Sequence, residues 1–323
     1  MKGERRLLTQ PARLILATIL KHLLRVRISG CLENCCGSVT LTTTVKTVVG
    51  GVMPMPQVRL TGTAWGRRLE DYAYTVNLDR PGLAWEFLRR NSNYARDAQE
   101  NSKSIPIAKT DANGTQVFKL HQLVIPAEKW GLATFANPTK CATDSTIFWL
   151  PSHMNSIISC QAKASNDNRA EVINLSQFKG QKFVLLTNAG EYLTIRDYHN
   201  TARLIITDKS ILTGDCVFNF SFEGIENAIS RLQALRDLQQ FMSASPKFLT
   251  PVWSSNCKYR DYLVALDGHL ANRTYRDIAE VLYGSERVKD VWTNETRHLK
   301  DKVRRAGQAG IELMNGGYLK LLN

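Results

Sequence analysis

The spacing of apolar residues along the chain alternates between a helical and an extended period, and the changes mark out its segments. In "LDRPGLAWEFLRRNSNY", residues 78–94, Asp79 can cap a helix and Pro81 fits its first turn. Ala84, Trp85, Phe87 and Leu88 then build an apolar face before Asn-Ser-Asn stops it. This helix is the clearest element of an N-terminal helical docking domain over residues 57–104. From 105 to 246 the period shortens. "KFVLLTNAGEYLTIRDY" is two apolar runs around Asn188, Ala189 and Gly190 and reads as a hairpin, while "ARLIITD" and "CVFNFSFEG" are further strands rich in β-branched and aromatic residues. "IENAISRLQALRDLQQFM" returns to helix and closes this β-rich connecting region, with Ile225, Ile229, Leu232, Leu235 and Leu238 on or near one face. Pro246 breaks it.

Residues 247–323 carry three helical patterns. "YRDYLVALDGHLA" presents Leu263, Leu266 and Leu270; "TYRDIAEVLYG" presents Ile278, Ala279 and Leu282, with Gly284 as its stop. Small Ala279 permits a close helix crossing. In the third pattern Thr293 or Asn294 can cap, Glu295 suits the positive helix end, and Leu299, Val303 and Ala306 form the buried stripe. Gly307 and Gly310 cost a helix about 1 kcal/mol each relative to Ala, which leaves the extent of the helix past Ala306 open. The expected fold is α+β: an N-terminal helical segment, a small antiparallel β-rich middle region, and a C-terminal helix-turn-helix variant with an extended turn.

Charge sharpens the last of these. The chain has a formal net charge of +13 over 323 residues, which favours a polyanionic partner. Nearly half of the excess sits in residues 1–56, where Lys2, Arg5, Arg6, Arg13, Lys21, Arg25, Arg27 and Lys46 face only Glu4 and Glu33. That basic tail is expected to lack fixed structure. Its segment "ARLILATILKHLLRVRI" also has the periodicity of a membrane-surface helix or a poor signal sequence, but Arg13, Lys21 and His22 interrupt any membrane span. Met53 or Met55 would serve as an alternative start. Five further cations cluster in the third C-terminal pattern. Arg297, Lys300 and Arg304 are three and four residues apart and share one helix face, with Lys302 and Arg305 flanking it. Such a face matches a phosphate ladder, and a helix presenting it can enter a major groove. The first helix would position and the second would read, as in helix-turn-helix domains, although the spacer from Gly284 to Thr293 exceeds their usual three or four residues. A three-helix domain with a solvated basic face fits the same pattern.

Other chemistry is sparse. Six histidines are dispersed, and no P-loop, dinucleotide fingerprint or zinc-protease helix occurs, so the chain reads as a non-enzyme without a cofactor. Seven cysteines without a CxxC pair suggest a reducing cytoplasm; "CLENCC" lacks a second ligand pair at zinc spacing and reads as free thiols. Trp65, Trp85, Trp130 and Trp149 read as core or domain-interface residues rather than base-stacking platforms.

"TYRDIAEVLYGSERV", Trp292, "LKDKVRRA" and the closing "MNGGYLKLL" resemble the extended-turn helix-turn-helix family of proteobacterial mobile elements. "LDRPGLAWEFLRRNSNY" is similar to the helical domain that accompanies it, and "WGLATFANP" and "FWLPS" to its connecting signatures. The likeness spans residues 59–323 and is to the FseA-type activators of excision of integrative and conjugative elements. It implies a cytoplasmic, nucleoid-associated transcriptional activator that binds double-stranded promoter DNA and controls excision and transfer of the element. It also implies an acidic antiactivator that resembles the C-terminal domain and can take its place on the N-terminal one. Residue by residue, it places DNA contact on Arg297, Lys300, Lys302, Arg304 and Arg305, with Arg287 and Lys289 of the long turn in support. Partner or interdomain contact falls on Trp85, Phe87, Leu88 and Tyr94. RNA polymerase is a further candidate partner, and no membrane or metal is expected. The competing reading is a regulatory protein-interaction module whose basic face never meets DNA.

Overall fold

Asp79 starts the first helix as its position predicts: its Oδ1 accepts the Gly82 N–H at 2.8 Å, with Pro81 in the first turn. In the computed structural model that helix, α1, runs Arg80–Leu88. Asn91 then both ends the segment and caps α2 (Ser92–Glu100), accepting the N–H groups of Asn93 and Tyr94 at 2.9 and 3.1 Å. The structure describes residues 65–120, 123–164, 172–197, 200–222, 227–243, 253–292 and 297–323, with the side chains of 253–255 and 297 excepted. The tail, its "CLENCC" and the helix caps expected at Thr293 or Asn294 lie outside the described residues.

Among the described residues, seven strands form one sheet: β1 (Lys109–Thr110), β2 (Gln116–Lys119), β3 (Ile158–Lys163), β4 (Gln181–Thr187), β5 (Gly190–Arg196), β6 (Thr201–Asp208) and β7 (Val217–Phe220). Their order is β1-β2-β4-β5-β6-β3-β7. The hairpin expected around Asn188–Gly190 is β4–β5, paired antiparallel from Gln181↔Arg196 to Thr187↔Gly190. The expectation of an antiparallel sheet needs correction, because β2 pairs parallel with β4 and β3 parallel with β6. Both parallel pairs join strands far apart in sequence, and parallel neighbours require a long crossover that a local pattern does not reveal.

Period-two alternation assigns the two faces of the sheet. Val184, Leu193, Ile195, Ala202, Leu204 and Ile206 point into one cluster, completed by Leu238 and Phe241 of α3 (Ala228–Met242). Phe183, Leu185 and Tyr192 point the other way, toward Ala133, Phe148 and Leu150. The predicted apolar face of α3 is also corrected. Ala234, Leu238 and Phe241 are its buried residues, whereas Ile229 and Leu232 are 84% and 63% exposed. Only the C-terminal half of the helix seats on the sheet, so the periodicity of its first half finds no described surface to cover.

The C-terminal part holds α4 (Trp253–Leu270), α5 (Tyr275–Tyr283), α6 (Ser285–Val291), α7 (Arg297–Met314) and a terminal 3-10 helix, Gly317–Leu321. Gly284 ends α5 at φ +88°, as its position predicts. The spacer after it, expected as an extended turn, contains the short helix α6, whose Val288 is fully buried. The last helix also continues beyond Ala306. A Cβ on Gly310 would lie 2.7 Å from the Tyr262 carbonyl oxygen and 2.9 Å from Leu266 Cβ, so α4 and α7 cross where only glycine fits. The helix cost of that residue is offset by the contact its missing side chain permits.

The described residues lie in one compact unit, and one hydrophobic cluster joins its two ends: Tyr72, Leu83, Trp85, Leu88 and Tyr94 share it with Leu263, Leu266, Ile278, Val303, Tyr318 and Leu321. Helix α1 lies against α7 and the terminal 3-10 helix.

Candidate nucleic-acid interface and interdomain clamp

Helix α7 divides along its length. Val303 is fully buried, Ala306 nearly so, Gly310 meets α4, and Leu299 is half-buried. Lys300, Lys302, Arg304 and Arg305 are exposed on the remaining circumference. At 100° per residue, Lys300 and Arg304 lie on one flank of the buried stripe and Lys302 on the other, with Arg305 opposite the stripe. Arg297 opens the helix, and its side chain is not described. Arg287 and Lys289 are exposed on α6.

The cations of α7 have few competing acids. Arg304 approaches Asp301 at 3.5 Å, with both side chains more than 40% exposed, a pair that water screens and that holds little free energy. The Arg305 Nε donates to the Asp301 carbonyl oxygen at 3.3 Å. The Lys302 ammonium sits over the Tyr283 ring, 5.1 Å from its centroid, and this contact steadies the stem on α5 while the charge stays at the surface. Among the described residues no group of His, Cys, Asp and Glu could hold a metal ion, and no helix is long and apolar enough to cross a membrane.

Trp85, Phe87, Leu88 and Tyr94 are fully buried. Trp85 and Tyr94 meet edge to face at 5.5 Å and direct their polar atoms to one loop. The Trp85 Nε1 donates to the Lys140 carbonyl at 3.1 Å; the Tyr94 hydroxyl donates to the Ala136 carbonyl at 2.8 Å and accepts the Ala136 N–H at 3.0 Å. All four therefore belong to the core that joins the ends of the unit rather than to a free surface. Trp149 is buried like Trp85, while Trp65 and Trp130 are partly so.

The polar clamp between those ends was not among the predicted residues. The Arg90 guanidinium donates through Nε to Asp267 Oδ1 at 2.6 Å and through Nη2 to Oδ2 at 2.9 Å, a two-pronged contact across 177 residues of sequence. Its Nη1 donates to Glu86 Oε2 at 2.7 Å. That oxygen also accepts from Arg89 Nε at 2.6 Å and the Tyr74 hydroxyl at 2.7 Å, while Oε1 accepts the Ala142 N–H at 2.8 Å. The Tyr72 hydroxyl donates to Asp267 at 3.0 Å. Burial alone would raise the Glu86 carboxyl, but Arg89 and Arg90 outweigh it and hold the group below the usual carboxylate range. Burial pushes the Tyr72 and Tyr74 hydroxyls well above their ordinary value, so both stay protonated as donors. Two amides complete the clamp. Asn256 Nδ2 donates to the Val76 and Leu78 carbonyls at 2.9 Å each, and Asn91 Nδ2 to the Met314 carbonyl at 3.1 Å. One sequence signal pointed here: Asp267 directly follows the apolar run "YLVAL", where a lone acid needs a buried partner.

Comparison with known families bears on both ends. Residues 65–133 match the family described as "Proteobacterial transcriptional regulator-like domain". Residues 222–323, which contain α3 to α7, match the family described as "T6SS, Transcription factor, DNA binding domain". Strands β3 to β7 fall between the two matches. No curated protein matches the chain. Together the two matches support a proteobacterial, DNA-binding transcription regulator rather than an enzyme, with DNA as its partner.

Proposed function

We propose that the chain is a cytoplasmic, nucleoid-associated transcriptional activator that reads promoter DNA with α7 and controls excision and transfer of a mobile genetic element. The observation that carries this reading is the two-sided build of α7. Val303, Ala306 and Gly310 seat it on the protein, and Lys300, Lys302, Arg304 and Arg305 stand exposed within a segment similar to a transcription-factor DNA-binding domain. A helix of this kind fits a major groove about 12 Å wide, where arginine pairs with guanine edges and lysine holds phosphate. Arg297 joins that face by its position in the sequence, and Arg287 and Lys289, exposed on α6, take the flanking backbone in this reading.

Excision genes as the target, an acidic antiactivator and contact with RNA polymerase rest on the resemblance to FseA-type activators described above. In this reading the antiactivator competes for the surface around Trp85, Phe87, Leu88 and Tyr94. Their complete burial means that it gains access only when α7 and the terminal 3-10 helix leave α1.

The experiment is a footprint of the full chain on the region upstream of the element's excision genes, beside Arg297→Ala with Arg304→Ala. The wild type should protect a discrete site. The double variant, folded by circular dichroism, should bind roughly 30-fold or more weakly, at about 1 kcal/mol per lost charged contact. A wild-type footprint from the folded double variant would remove α7 as the reading element. Protection confined to other promoters would leave a DNA-binding regulator but reject the excision assignment.

A further inference from the structure

A cleft of about 480 Å³ opens where the start of α1 and the loop 142–147 meet the sheet. Such a volume is in the range of small-molecule sites. Its floor is the sheet face opposite α3. Alternation places Gln181 and Phe183 of β4, Thr194 and Arg196 of β5, and Thr201 and Arg203 of β6 there, and all six line the cleft. Arg196 pairs in register with Thr201 and Thr194 with Arg203, so the two arginines are diagonal neighbours on adjacent strands.

The two guanidinium groups there are unequally partnered. Asp79 lines the cleft, but both its oxygens are occupied: Oδ1 accepts the Gly82 N–H at 2.8 Å and Oδ2 takes Arg203 Nη2 at 2.8 Å. Arg196 donates to the carbonyls of Ala142, Ser145 and Thr143 at 3.0, 3.3 and 3.3 Å and lies over the Phe183 ring at 5.0 Å from its centroid. None of these partners carries a negative charge. Burial lowers its proton affinity, a cost that the nearby Asp79 offsets only in part. Asp197 also lines the cleft and Asp144 stands close to Arg196; both are exposed to water. The Arg203 Nε is buried and has no hydrogen-bond partner in the structure. The cleft thus holds two guanidinium groups, the engaged carboxylate of Asp79, the solvent-exposed carboxylate of Asp197 and an unmet donor, beside the apolar side chains of Leu78, Ile147 and Phe183.

We infer that this cleft binds a small organic monocarboxylate, its one negative charge set between Arg196 and Arg203 and its apolar body against Leu78, Ile147 and Phe183. Arg196, whose hydrogen-bond partners are all neutral carbonyls, suits a monoanion, whereas a phosphate dianion would leave buried negative charge uncompensated. The apolar wall adds affinity that a bare inorganic anion cannot gain. This inference is independent of how α7 meets DNA.

Calorimetric titration of the full chain with acetate, benzoate and indole-3-acetate, with benzamide as the neutral counterpart of benzoate and with inorganic phosphate, tests it. Benzoate or indole-3-acetate should bind saturably at one site per chain, roughly tenfold or more tighter than acetate, with no binding of benzamide or phosphate. Arg196→Gln should weaken the aromatic carboxylate by roughly tenfold or more. Ile147→Trp, which fills the cleft without touching its charges, should abolish binding while leaving the far-ultraviolet circular dichroism unchanged. The proposal is overturned if no carboxylate saturates the chain or benzamide binds as well as benzoate. It fails equally if phosphate binds tighter than the carboxylates or folded Ile147→Trp binds as the wild type does.

Discussion

Asp267→Ala should lower the free energy of unfolding by about 3–5 kcal/mol, the range seen when one member of a buried charged pair is removed. Asp267 and Arg90 are only 4% and 3% exposed, so solvent screening does little to soften the loss. Without Asp267, the Arg90 Nε and Nη2 lose their acceptors and the Tyr72 hydroxyl loses its own. Domain stabilities lie around 5–15 kcal/mol, so the variant should show a large fall in its urea midpoint. Replacing both partners, Asp267→Leu with Arg90→Met, should recover part of the loss, because a buried pair exchanged for apolar side chains leaves no orphaned charge. A single variant within about 0.5 kcal/mol of the wild type would show that the clamp contributes nothing to stability. The network also has a pH signature. Glu86 is held below its ordinary pKa, so its contribution is fully present above the unfolded carboxylate value of about 4.3 and is lost as pH falls through the lowered folded one.

A larger effect is expected from Trp85→Ala combined with Leu88→Ala. Both side chains are fully buried in the cluster that joins the two ends of the unit. Truncating a buried tryptophan costs about 3–5 kcal/mol and a buried leucine about 2–5. Their sum approaches the whole stability of a typical domain, even allowing for neighbours that do not add simply. Loss of the cooperative unfolding transition is the expected result, rather than a loosened contact on an intact fold. Retention of a sharp transition at the wild-type midpoint would mean that these side chains are not where the structure puts them.

Local features carried most of what the sequence revealed. Asp79 and Pro81 mark a helix start, Asn188–Gly190 a hairpin, Gly284 a helix end, and the stripe Leu299, Val303 and Ala306 fixes which side of α7 faces inward, so the outward placement of its cations followed. Each depends on residues within one or two turns of each other. What escaped depends on distance. The parallel pairings of β2 with β4 and β3 with β6, and the Arg90–Asp267 contact, join residues whose adjacency only the assembled chain creates. Gly310 was legible as a poor helix former but not as the point where α4 approaches α7, since that reading needs the Tyr262 carbonyl opposite it. Ile229 and Leu232 kept a helical period that tertiary packing leaves uncovered. The arginine-lined cleft was hidden for a related reason. Arg196 and Arg203 stand on different strands, and only the register sets them side by side.

The affinity of the full chain for a short promoter duplex, measured by fluorescence anisotropy across salt concentrations, decides whether α7 meets DNA. If five cations around α7 neutralise phosphates, the logarithm of affinity should fall against the logarithm of salt with a slope of about −4 to −5. Lys300→Ala with Arg304→Ala should make it shallower by about 1.8. A slope near zero, or a folded double variant with the wild-type slope, would contradict the claim that α7 meets DNA.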